Sequence, residues 1–588
     1  MLRQGKFFLV LFLVLSLKSS CQIINSVTVS GKHEAGNGDI ITWCGISRGS
    51  TVYKGIVDSI KYRLAAHLAD IGYLHASFEG TKIIRVDSNT ADLVINVNQG
   101  SPTYVKKLTV DGLDSVLNSS VEPFFEFLKN SVFNKAVLEN DIDQTLTFFE
   151  DHGYPFAKIV ISSIYFYGDS LSESYYADID LDIKPGVLSR IDHFEIMGNT
   201  KTNDDVILRE LRISKGELYS QKTIDAIPKR LNRLGFFQPV EKPDFFLNSK
   251  NEGILRIKVK EKQTNNFDGV IGYVPSAGSN QPGYLTGLVN ISLTNLFGTG
   301  RAAAINWQQY NRYSQVLQLK YLEPWVLGYP INIGGSLFQR KQDSTYVQRT
   351  IEGSIEYLAT ESLSASLSLS TESVIPTENT QNVFTVFHSS SVTTGLNLKI
   401  DTRDDPYSPT EGVLFVNSYS LSQKKITGPQ QFITPAVQTN ISLQRILLDI
   451  SVFYQIFNRQ VVAVSFHGRE LRGSSFFETS DLFRLGGANT LRGYREDQFL
   501  GNRIFWTNLE YRVLLTRRTF GFLFLDTGYF LRNAEPQLNI QKSEGFKIGY
   551  GLGINLETSL GVLRVSFALA KGDTFSDAKI HFGIVNEF

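Results

Sequence analysis

The chain is short of cysteine and of net charge, and each shortage argues against a class of protein. Its 588 residues include two cysteines, Cys21 and Cys44, so we expect no disulfide framework. Lys plus Arg and Asp plus Glu both number 58, whereas a nucleic-acid-binding protein carries a basic stripe. The composition therefore favours neither a disulfide-stapled domain nor nucleic acid as a partner.

Motifs that carry catalysis are also scarce. The sequence has no P-loop and no H-E-x-x-H motif, and its eight histidines lack metal-ligand spacing. Gly45-Ile-Ser-Arg-Gly49 fits the G-x-S-x-G pattern of serine hydrolases, but that motif needs a sheet of parallel strands and a following acid and histidine. We interpret the match as chance and predict no metal, no cofactor and no enzyme activity.

Long apolar runs are missing except at the N-terminus. Residues 1–21 place Arg3 and Lys6 ahead of the apolar run Phe7–Leu17, which is the pattern of a secretory signal peptide. A membrane-spanning helix needs about 20 apolar residues, so this run is too short to be one. We expect a signal peptide that is removed.

Cleavage of this signal is expected near Ser19 to Cys21. Cys21 is alternatively a lipidated N-terminal cysteine, but Lys18 fits the small-residue requirement of that signal poorly, and we favour ordinary cleavage. No later segment has the length of a spanning helix. Any membrane insertion must therefore use β-strands, which also satisfy every backbone group in lipid.

The first part of the chain contains a threefold repeat. Gly72, Gly153 and Gly235 each precede an aromatic residue and follow a stretch whose apolar residues recur at spacings of three and four, typical of an amphipathic helix ending at glycine. A short strand precedes each helical region and two strands follow, giving β-α-α-β-β units. The predicted boundaries are 22–100, 101–187 and 188–262.

From residue 263 to 588 the helical periodicity disappears. The composition, with 25 Tyr, 41 Phe and 47 Gly, suits a β-rich protein with many turns. Apolar residues alternate with polar residues or glycine over about ten residues per strand, as in a transmembrane barrel. One such series is Phe546, Ile548, Tyr550, Leu552 and Ile554. We predict an antiparallel barrel of about 16 strands. Its first strand is Phe267–Val274, its last strand ends at Phe588, and these two strands pair.

A glycine-rich stretch near the C-terminus, Leu485–Tyr494, reads LGGANTLRGY. Its glycines permit a loop folded back on the structure, which would carry Arg492 into an enclosed space where it needs an acidic partner. Asp526 lies out of phase with its apolar neighbours Phe524 and Tyr529, so we expect it to face the lumen rather than lipid. An Arg492–Asp526 pair is predicted; the alternative is a solvated loop arginine.

Several stretches of the sequence form a recognisable set. They are Leu485-Gly-Gly, Leu491-Arg-Gly-Tyr494, Phe524-Leu-Asp-Thr-Gly528, Asn295–Gly300, Glu323-Pro324, Asp401–Asp404 and Pro409–Gly412. This set resembles the BamA/TamA outer-membrane insertase family, and the β-α-α-β-β units resemble its POTRA domains. Three repeats are closer to the TamA branch. The charge-rich cluster Asp401–Asp405 is read equally well as a solvated turn between strands.

The resemblance implies an α+β POTRA region followed by a barrel, with site residues carried over by position. Leu491, Arg492, Gly493 and Tyr494 correspond to the family's loop motif inside the lumen. Asp526 corresponds to the acidic partner on the barrel wall.

The resemblance also implies a function in the bacterial outer membrane. POTRA repeats in the periplasm would receive unfolded outer-membrane proteins of β-barrel or autotransporter type, with accessory lipoproteins or an envelope-spanning protein as further partners. Insertion into the lipid bilayer would occur at a seam between the first and last strands, where glycine weakens the pairing. The seam residues are Gly269, Gly272, Gly583 and Phe588.

Two other functions are compatible with a barrel. A polypeptide secretion pore of the two-partner type would pass its substrate through the lumen, but its relatives usually carry two POTRA units and often a plug helix. A passive porin needs no periplasmic receptor domain, so three repeats argue against it.

Overall fold

A computed structural model describes most of the chain in two compact units. The described residues are 22–169, 174–263, 265–275, 283–309, 311–343, 345–377, 384, 386–406, 408–435, 437–473, 476–516, 518–536, 540–558 and 561–585. The signal peptide expected over 1–21 and the seam residue Phe588 lie outside these ranges. The first unit comprises Met1–Asp192, Gly216–Thr223 and Asn248–Gly253, and the second comprises His193–Lys215, Ile224–Leu247 and Ile254–Phe588.

The first two repeats share one topology. The first contains β1 (Ile23–Lys32), α1 (Asn37–Cys44), α2 (Ile56–Asp70), β2 (Lys82–Arg85) and β3 (Thr90–Asn98). The second contains β4 (Thr103–Asp111), α3 (Ser115–Phe125), α4 (Lys135–Asp151), β5 (Lys158–Asp169) and β6 (Ser174–Lys184). In each, the last strand lies in the middle of the sheet, parallel to the first and antiparallel to the second. The predicted β-α-α-β-β order is therefore present.

The repeating glycines lie where one repeat meets the next. Gly72 and Gly153 follow α2 and α4 with φ of +94° and +93°, a conformation that glycine adopts without steric cost. Their carbonyl oxygens accept hydrogen bonds from the backbone N–H groups of Thr103 (2.8 Å) and Ser189 (2.7 Å), both in the following repeat. The period seen in the sequence thus records the joints between repeats as well as the helix ends.

The third repeat has the same elements with two short additions. They are β7 (Arg190–Ile191), β8 (His193–Met197), α5 (Asp204–Leu211), β9 (Glu217–Leu218), α6 (Gln221–Arg233), β10 (Asp244–Leu247) and β11 (Gly253–Lys258). Its three-stranded sheet again places the last strand, β11, between the other two. No helix in the described part of the chain is both long and apolar enough to cross a membrane.

The rest of the second unit is an antiparallel β-barrel sheet with one inserted hairpin. Its strands are β12 (Asn266–Val274), β13 (Tyr284–Leu296), β14 (Arg301–Gln309), β15 (Gln315–Glu323), β16 (Ile331–Gln342), β17 (Tyr346–Leu358), β18 (Leu363–Pro376), β19 (His388–Asp401), β20 (Gly412–Gly428), β21 (Asn440–Phe457), β22 (Gln460–Gly473), β23 (Phe483–Leu485), β24 (Phe499–Gly501), β25 (Arg503–Leu514), β26 (Phe520–Arg532), β27 (Ser543–Thr558), β28 (Gly561–Ala570) and β29 (Lys579–Val585). All but β23 and β24, which pair with each other, form one 16-stranded sheet in sequence order. The predicted barrel of about 16 strands is confirmed.

The two ends of this sheet are β12 and β29. Within their described residues, 266–274 and 579–585, no ladder joins the two strands. This differs from the expectation that the first and last strands pair.

The third repeat contacts the barrel turns through both of its helices. Trp325, in the β15–β16 turn, donates its indole N–H to Glu210 Oε1 (2.7 Å), and Arg230 Nε donates to Glu361 Oε1 (2.6 Å) in the β17–β18 turn. Burial raises the pKa of Glu210, and the hydrogen bond from Trp325 offsets only part of this increase. We call this end of the strands the near end and the opposite end the far end.

Candidate functional site

The segment between β22 and β25 folds back into the barrel rather than into solvent. Leu485 and Leu491 are fully buried and pack against Ile504, Trp506 and Phe530 on the inner wall. The backbone N–H of Gly486 donates to Thr490 Oγ1 (2.9 Å), which closes the glycine-rich turn. We call residues 485–494 the lumen loop. The solvated-loop alternative for this stretch is wrong, because its apolar residues fill the barrel interior.

Arg492 is 3% exposed and is held by four hydrogen bonds to two carboxylates. Its Nε and backbone N–H donate to Asp526 Oδ2 (2.7 and 3.0 Å), and its Nη2 donates to Asp526 Oδ1 (2.7 Å). Its Nη1 donates to Glu510 Oε1 (2.7 Å). Burial alone would lower the pKa of Arg492, but Asp526 and Glu510 raise it well above its usual value. The structure therefore brings together the predicted Arg492 and Asp526 and adds Glu510.

Asp526 faces inward, as expected, but the reasoning from phase was wrong for one neighbour. Phe522, Phe524 and Asp526 share the inner face at 4%, 5% and 0% exposure, while Leu523 and Leu525 point outward at 60% and 43%. Phe524 was expected on the face opposite to Asp526. It lies inside because residues two apart on a strand point to the same face, and the lumen loop covers its ring: the Arg492 Cζ is 3.7 Å from the ring centroid.

Three guanidinium groups surround the two carboxylates. Arg512 Nε donates to Glu510 Oε2 (2.9 Å), and Arg564 Nη1 lies 3.6 Å from Glu510 Oε1. Glu510 and the three guanidinium groups border a polar cavity of about 160 Å³. Glu510, Arg512 and Arg564 were not predicted from the sequence. The available signal was the alternation that puts Glu510 and Arg512 in phase with the buried Trp506 on the inner face of β25.

The rest of the motif ties the lumen loop to the last strands of the sheet. Tyr494 Oη donates to the carbonyl oxygen of Ile548 on β27 (3.1 Å), and the Gly493 N–H donates to His581 Nε2 on β29 (3.2 Å). Gly493 has a φ of +91°. All four residues of Leu491–Tyr494 thus have a partner on the inner wall, and one contact reaches the terminal strand.

Glycines on the inner face of β27 make room for the loop and for the aromatic rings beside it. A Cβ added to Gly549 would lie 1.9 Å from the carbonyl oxygen of Arg492. One added to Gly553 would lie 2.4 Å from the ring of Phe522. The glycines that alternate along this strand are therefore required by close approach, not only tolerated.

Replacing Gly549 with Ala is expected to displace the lumen loop. The new methyl group overlaps the Arg492 carbonyl, and such overpacking costs about 1–3 kcal/mol. Hydrogen exchange of residues 485–494 in detergent should show faster exchange than in the unaltered protein. Gly335→Ala on β16 is the matched control, because no atom lies within 4 Å of its added Cβ. Equal protection in both variants would contradict the close packing.

The predicted seam residues lie apart from this cluster. Gly269 and Gly272 pair with Val289 and Thr286 of β13, and Gly583 lies on β29. A Cβ on Gly269 would be 2.7 Å from the carbonyl oxygen of Leu288, whereas one on Gly583 would meet nothing within 4 Å. Gly269 is therefore packed closely against β13.

The charged Asp401–Asp405 stretch is not a solvated turn. Arg403 and Asp405 are 5% and 4% exposed. Arg403 Nε donates to Asp401 Oδ1 (2.9 Å), and Arg518 Nη2 donates to Asp405 Oδ2 (3.0 Å). The solvated reading is wrong because these charges pair with each other and with the β25–β26 turn.

Comparison with known proteins places this architecture in a family. Residues 295–588 match the model of the Omp85 superfamily domain, and residues 189–262 match the POTRA model, described as a surface antigen variable number repeat. The chain is 23% identical over 566 residues to outer membrane protein assembly factor BamA of Nitratidesulfovibrio vulgaris, covering 88% of this chain and 66% of that protein. It is 22% identical over 271 residues to BamA of Neisseria meningitidis, covering 45% of this chain and 32% of that protein.

Among solved structures, the chain is similar to BamA from Haemophilus ducreyi lacking POTRA domains 1–3. The identity is 17% and the TM-score is 0.47, with 82% of this chain and 98% of that chain covered. The chain thus spans about two thirds of the first BamA relative and about a third of the second. Because the Omp85 model accounts for half of the sequence, the chain belongs to the Omp85 superfamily, with POTRA-type structure ahead of an outer-membrane β-barrel.

Proposed function

We propose that this protein assembles β-barrel or autotransporter-type proteins into the outer membrane by adding their strands at the seam between β12 and β29. The observation that carries the proposal is that these strands are the ends of the 16-strand order, without a ladder between their described residues. An unpaired strand edge presents N–H and C=O groups that can pair with a further strand. In lipid, such groups must be paired, so an incoming strand would be held there.

Side chains at the seam support this proposal. On β12, Val270 and Tyr273 are 76% and 65% exposed, and on β29 Phe582 is 68% exposed. Gly269, Gly272 and Gly583 reduce the side-chain packing across this edge. The lumen loop contacts β29 through Gly493 and His581, so we assign it the role of bracing the last strand from inside.

The repeats supply edges for reception of the substrate in the periplasm. In the second repeat, β5 is an edge strand of 12 residues, with Val160, Tyr165 and Phe166 exposed at 47%, 65% and 41%. An extended, apolar polypeptide can join such an edge by main-chain hydrogen bonds. Accessory lipoproteins or an envelope-spanning partner would act on the same repeats.

The alternative is a secretion pore, in which the substrate crosses the lumen. The lumen loop argues against it, because Leu491 and Arg492 are buried against the inner wall and would obstruct that path. A pore would need the Arg492–Asp526–Glu510 contacts to break with each passage. The insertion route leaves them intact.

The test is insertion of an unfolded small barrel protein into proteoliposomes that contain the full chain. Folding is followed by protease resistance. In a background with Cys21 and Cys44 replaced, a panel of cysteine pairs joins one position of β12 to one of β29. We expect the chain to accelerate folding, the oxidised pairs to abolish that acceleration, and reduction to restore it. Acceleration that survives every verified crosslink would contradict insertion at the seam. Steady conductance with substrate released inside the liposome would favour the pore.

A further inference from the structure

A row of four outward-facing residues crosses the outer wall of the barrel near the far end. Arg349 on β17 is paired in register with Ser373 on β18, Ser373 with Ser390 on β19, and Ser390 with Lys425 on β20. Since strands lie about 4.8 Å apart, the backbone positions of Arg349 and Lys425 are about 14 Å apart, with the two serines between them. We call these four residues the basic row.

The outward direction of the basic row follows from its neighbours. Ile351 and Val392, two residues away on β17 and β19, are 53% and 52% exposed, as expected for the lipid face. Farther toward the near end, Leu369 and Leu421 are 59% and 44% exposed on β18 and β20. The basic row therefore lies beside an apolar surface, within a few residues of the strand ends.

The row borders a depression of about 380 Å³ on the barrel wall. Its lining combines basic, hydroxyl and amide groups with two aliphatic side chains, and includes Arg349, Ile351, Thr371, Val392, Gln423 and Lys425. Glu372, from the same stretch, points into the lumen, where its Oε2 accepts from Gln348 Nε2 (2.8 Å). Glu372 is itself one of the lining residues, but its carboxylate is engaged by Gln348, so the outward side of the depression presents cations and hydroxyl donors.

The positive charge in the basic row is not neutralised by other residues of the described chain. Arg349 Nε and Nη2 both donate to Gln339 Oε1 (3.2 and 3.1 Å), a neutral acceptor, which leaves Nη1 available. Across residues 345–377 and 408–435, no carboxylate forms an ion pair with Arg349 or Lys425. Other outward basic residues differ: Arg472 pairs with Glu470 (2.8 Å) and Lys542 with Glu544 (2.9 Å).

We propose that the basic row binds the phosphate of a phosphorylated membrane lipid, with the acyl chains lying over Ile351 and Val392. Arginine and lysine bind phosphate by charge-assisted hydrogen bonds, and hydroxyl groups add neutral donors. Basic sites at the edge of a membrane protein's apolar surface are where lipid phosphates are recognised. This site is separate from the seam and from the lumen loop. The proposal of lipid binding therefore does not depend on whether the protein inserts other barrels.

The test titrates dioctanoyl phosphatidic acid into the full chain in a non-ionic detergent. The double variant R349Q/K425Q should bind at least about tenfold more weakly, since each basic residue near a lipid phosphate contributes substantially. R472Q/K542Q removes the same charge at sites already paired with carboxylates and should stay within about twofold of the unaltered chain. S373A/S390A should weaken binding by about threefold.

Two further probes identify the source of the phosphate. Dioctanoyl phosphatidylcholine, which has no net charge, should bind weakly, and inorganic phosphate should compete only at much higher concentration than the lipid. If R349Q/K425Q and R472Q/K542Q lose affinity for phosphatidic acid equally, the site is wrong. It is also wrong if phosphatidylcholine binds as tightly as phosphatidic acid. If inorganic phosphate binds as tightly as phosphatidic acid, the lipid assignment is wrong. Retention of the heat-modifiable folded band on electrophoresis verifies that each variant forms its barrel.

Discussion

Arg492→Ala is expected to destabilise the barrel strongly and to slow substrate insertion. The change leaves Asp526, at 0% exposure, without its cation, while Glu510, at 5% exposure, keeps only Arg512 and Arg564. Removing one partner of a buried ion pair costs about 3–5 kcal/mol, because the remaining charge is desolvated and unpaired. The loss of the guanidinium stacked on Phe524 adds to this cost. The measurement is the temperature at which the barrel loses its resistance to SDS, together with the insertion rate in proteoliposomes.

The control for this change is Arg495→Ala, an exposed arginine of the same segment. It should leave both readouts near those of the unaltered protein, since surface changes of this kind are usually within about 0.5 kcal/mol. Arg492→Lys should be intermediate, because an ammonium cannot reproduce the fork that bridges Asp526 and Glu510. In a double-mutant cycle, R492A/D526A should cost less than the sum of the single changes. Matching stabilities for R492A and R495A would refute the bracing role.

The Arg492–Asp526 pair could be predicted from the sequence because an arginine or an aspartate inside a barrel needs a partner of opposite charge. A glycine-flanked arginine and an aspartate on an alternating strand each need a partner once they leave water. The inner face of β26 was harder to assign. Alternation places Phe522 and Phe524 on the same face as Asp526, but two aromatic residues on that face suggest lipid rather than lumen. The inner face can be apolar here because the lumen loop covers both rings.

The other charged residues around Arg492 could not be predicted from the sequence. Glu510, Arg512 and Arg564 come from β25 and β28, and their meeting depends on strand register and barrel curvature. Neither is encoded in a local pattern. The repeats could be predicted because their signal is local. Gly72 and Gly153 adopt the left-handed conformation at the end of a helix, and a glycine recurs at this point in each unit.

Lys424→Met is the second change for which a large effect is expected, at a site with no sequence signal. Lys424, near the far end of β20, is buried, and its Nζ donates to Glu478 Oε2 (2.5 Å) and to both carboxylate oxygens of Asp481 (2.8 Å). Its removal leaves the buried Glu478 without its cation and Asp481 with only Arg445, 4.0 Å away, again at a cost of about 3–5 kcal/mol. Hydrogen exchange of residues 476–482 should lose its protection.

The control here is Lys425→Met, the next residue on the same strand. Lys425 is exposed and faces outward, so its loss should not alter exchange in 476–482 in detergent. The variant E478Q/D481N, combined with Lys424→Met, should recover part of the protection, since it removes the unpaired charges while keeping the shapes of the side chains. Unchanged exchange in the Lys424→Met protein would show that the apolar packing around Phe387 and Phe476 alone holds this segment.

Lys424 and Arg492 together hold the connection between β22 and β25 at two separate points. The Lys424 contacts fix 476–482 to β20, whereas the Arg492 contacts fix 485–494 to β25 and β26. Because the two clusters share no residue, Lys424→Met should expose 476–482 and leave 485–494 protected, and Arg492→Ala should do the reverse. If either change exposes both segments, the connection opens as one cooperative unit, and the lumen loop braces the barrel only while its far-end anchor is closed.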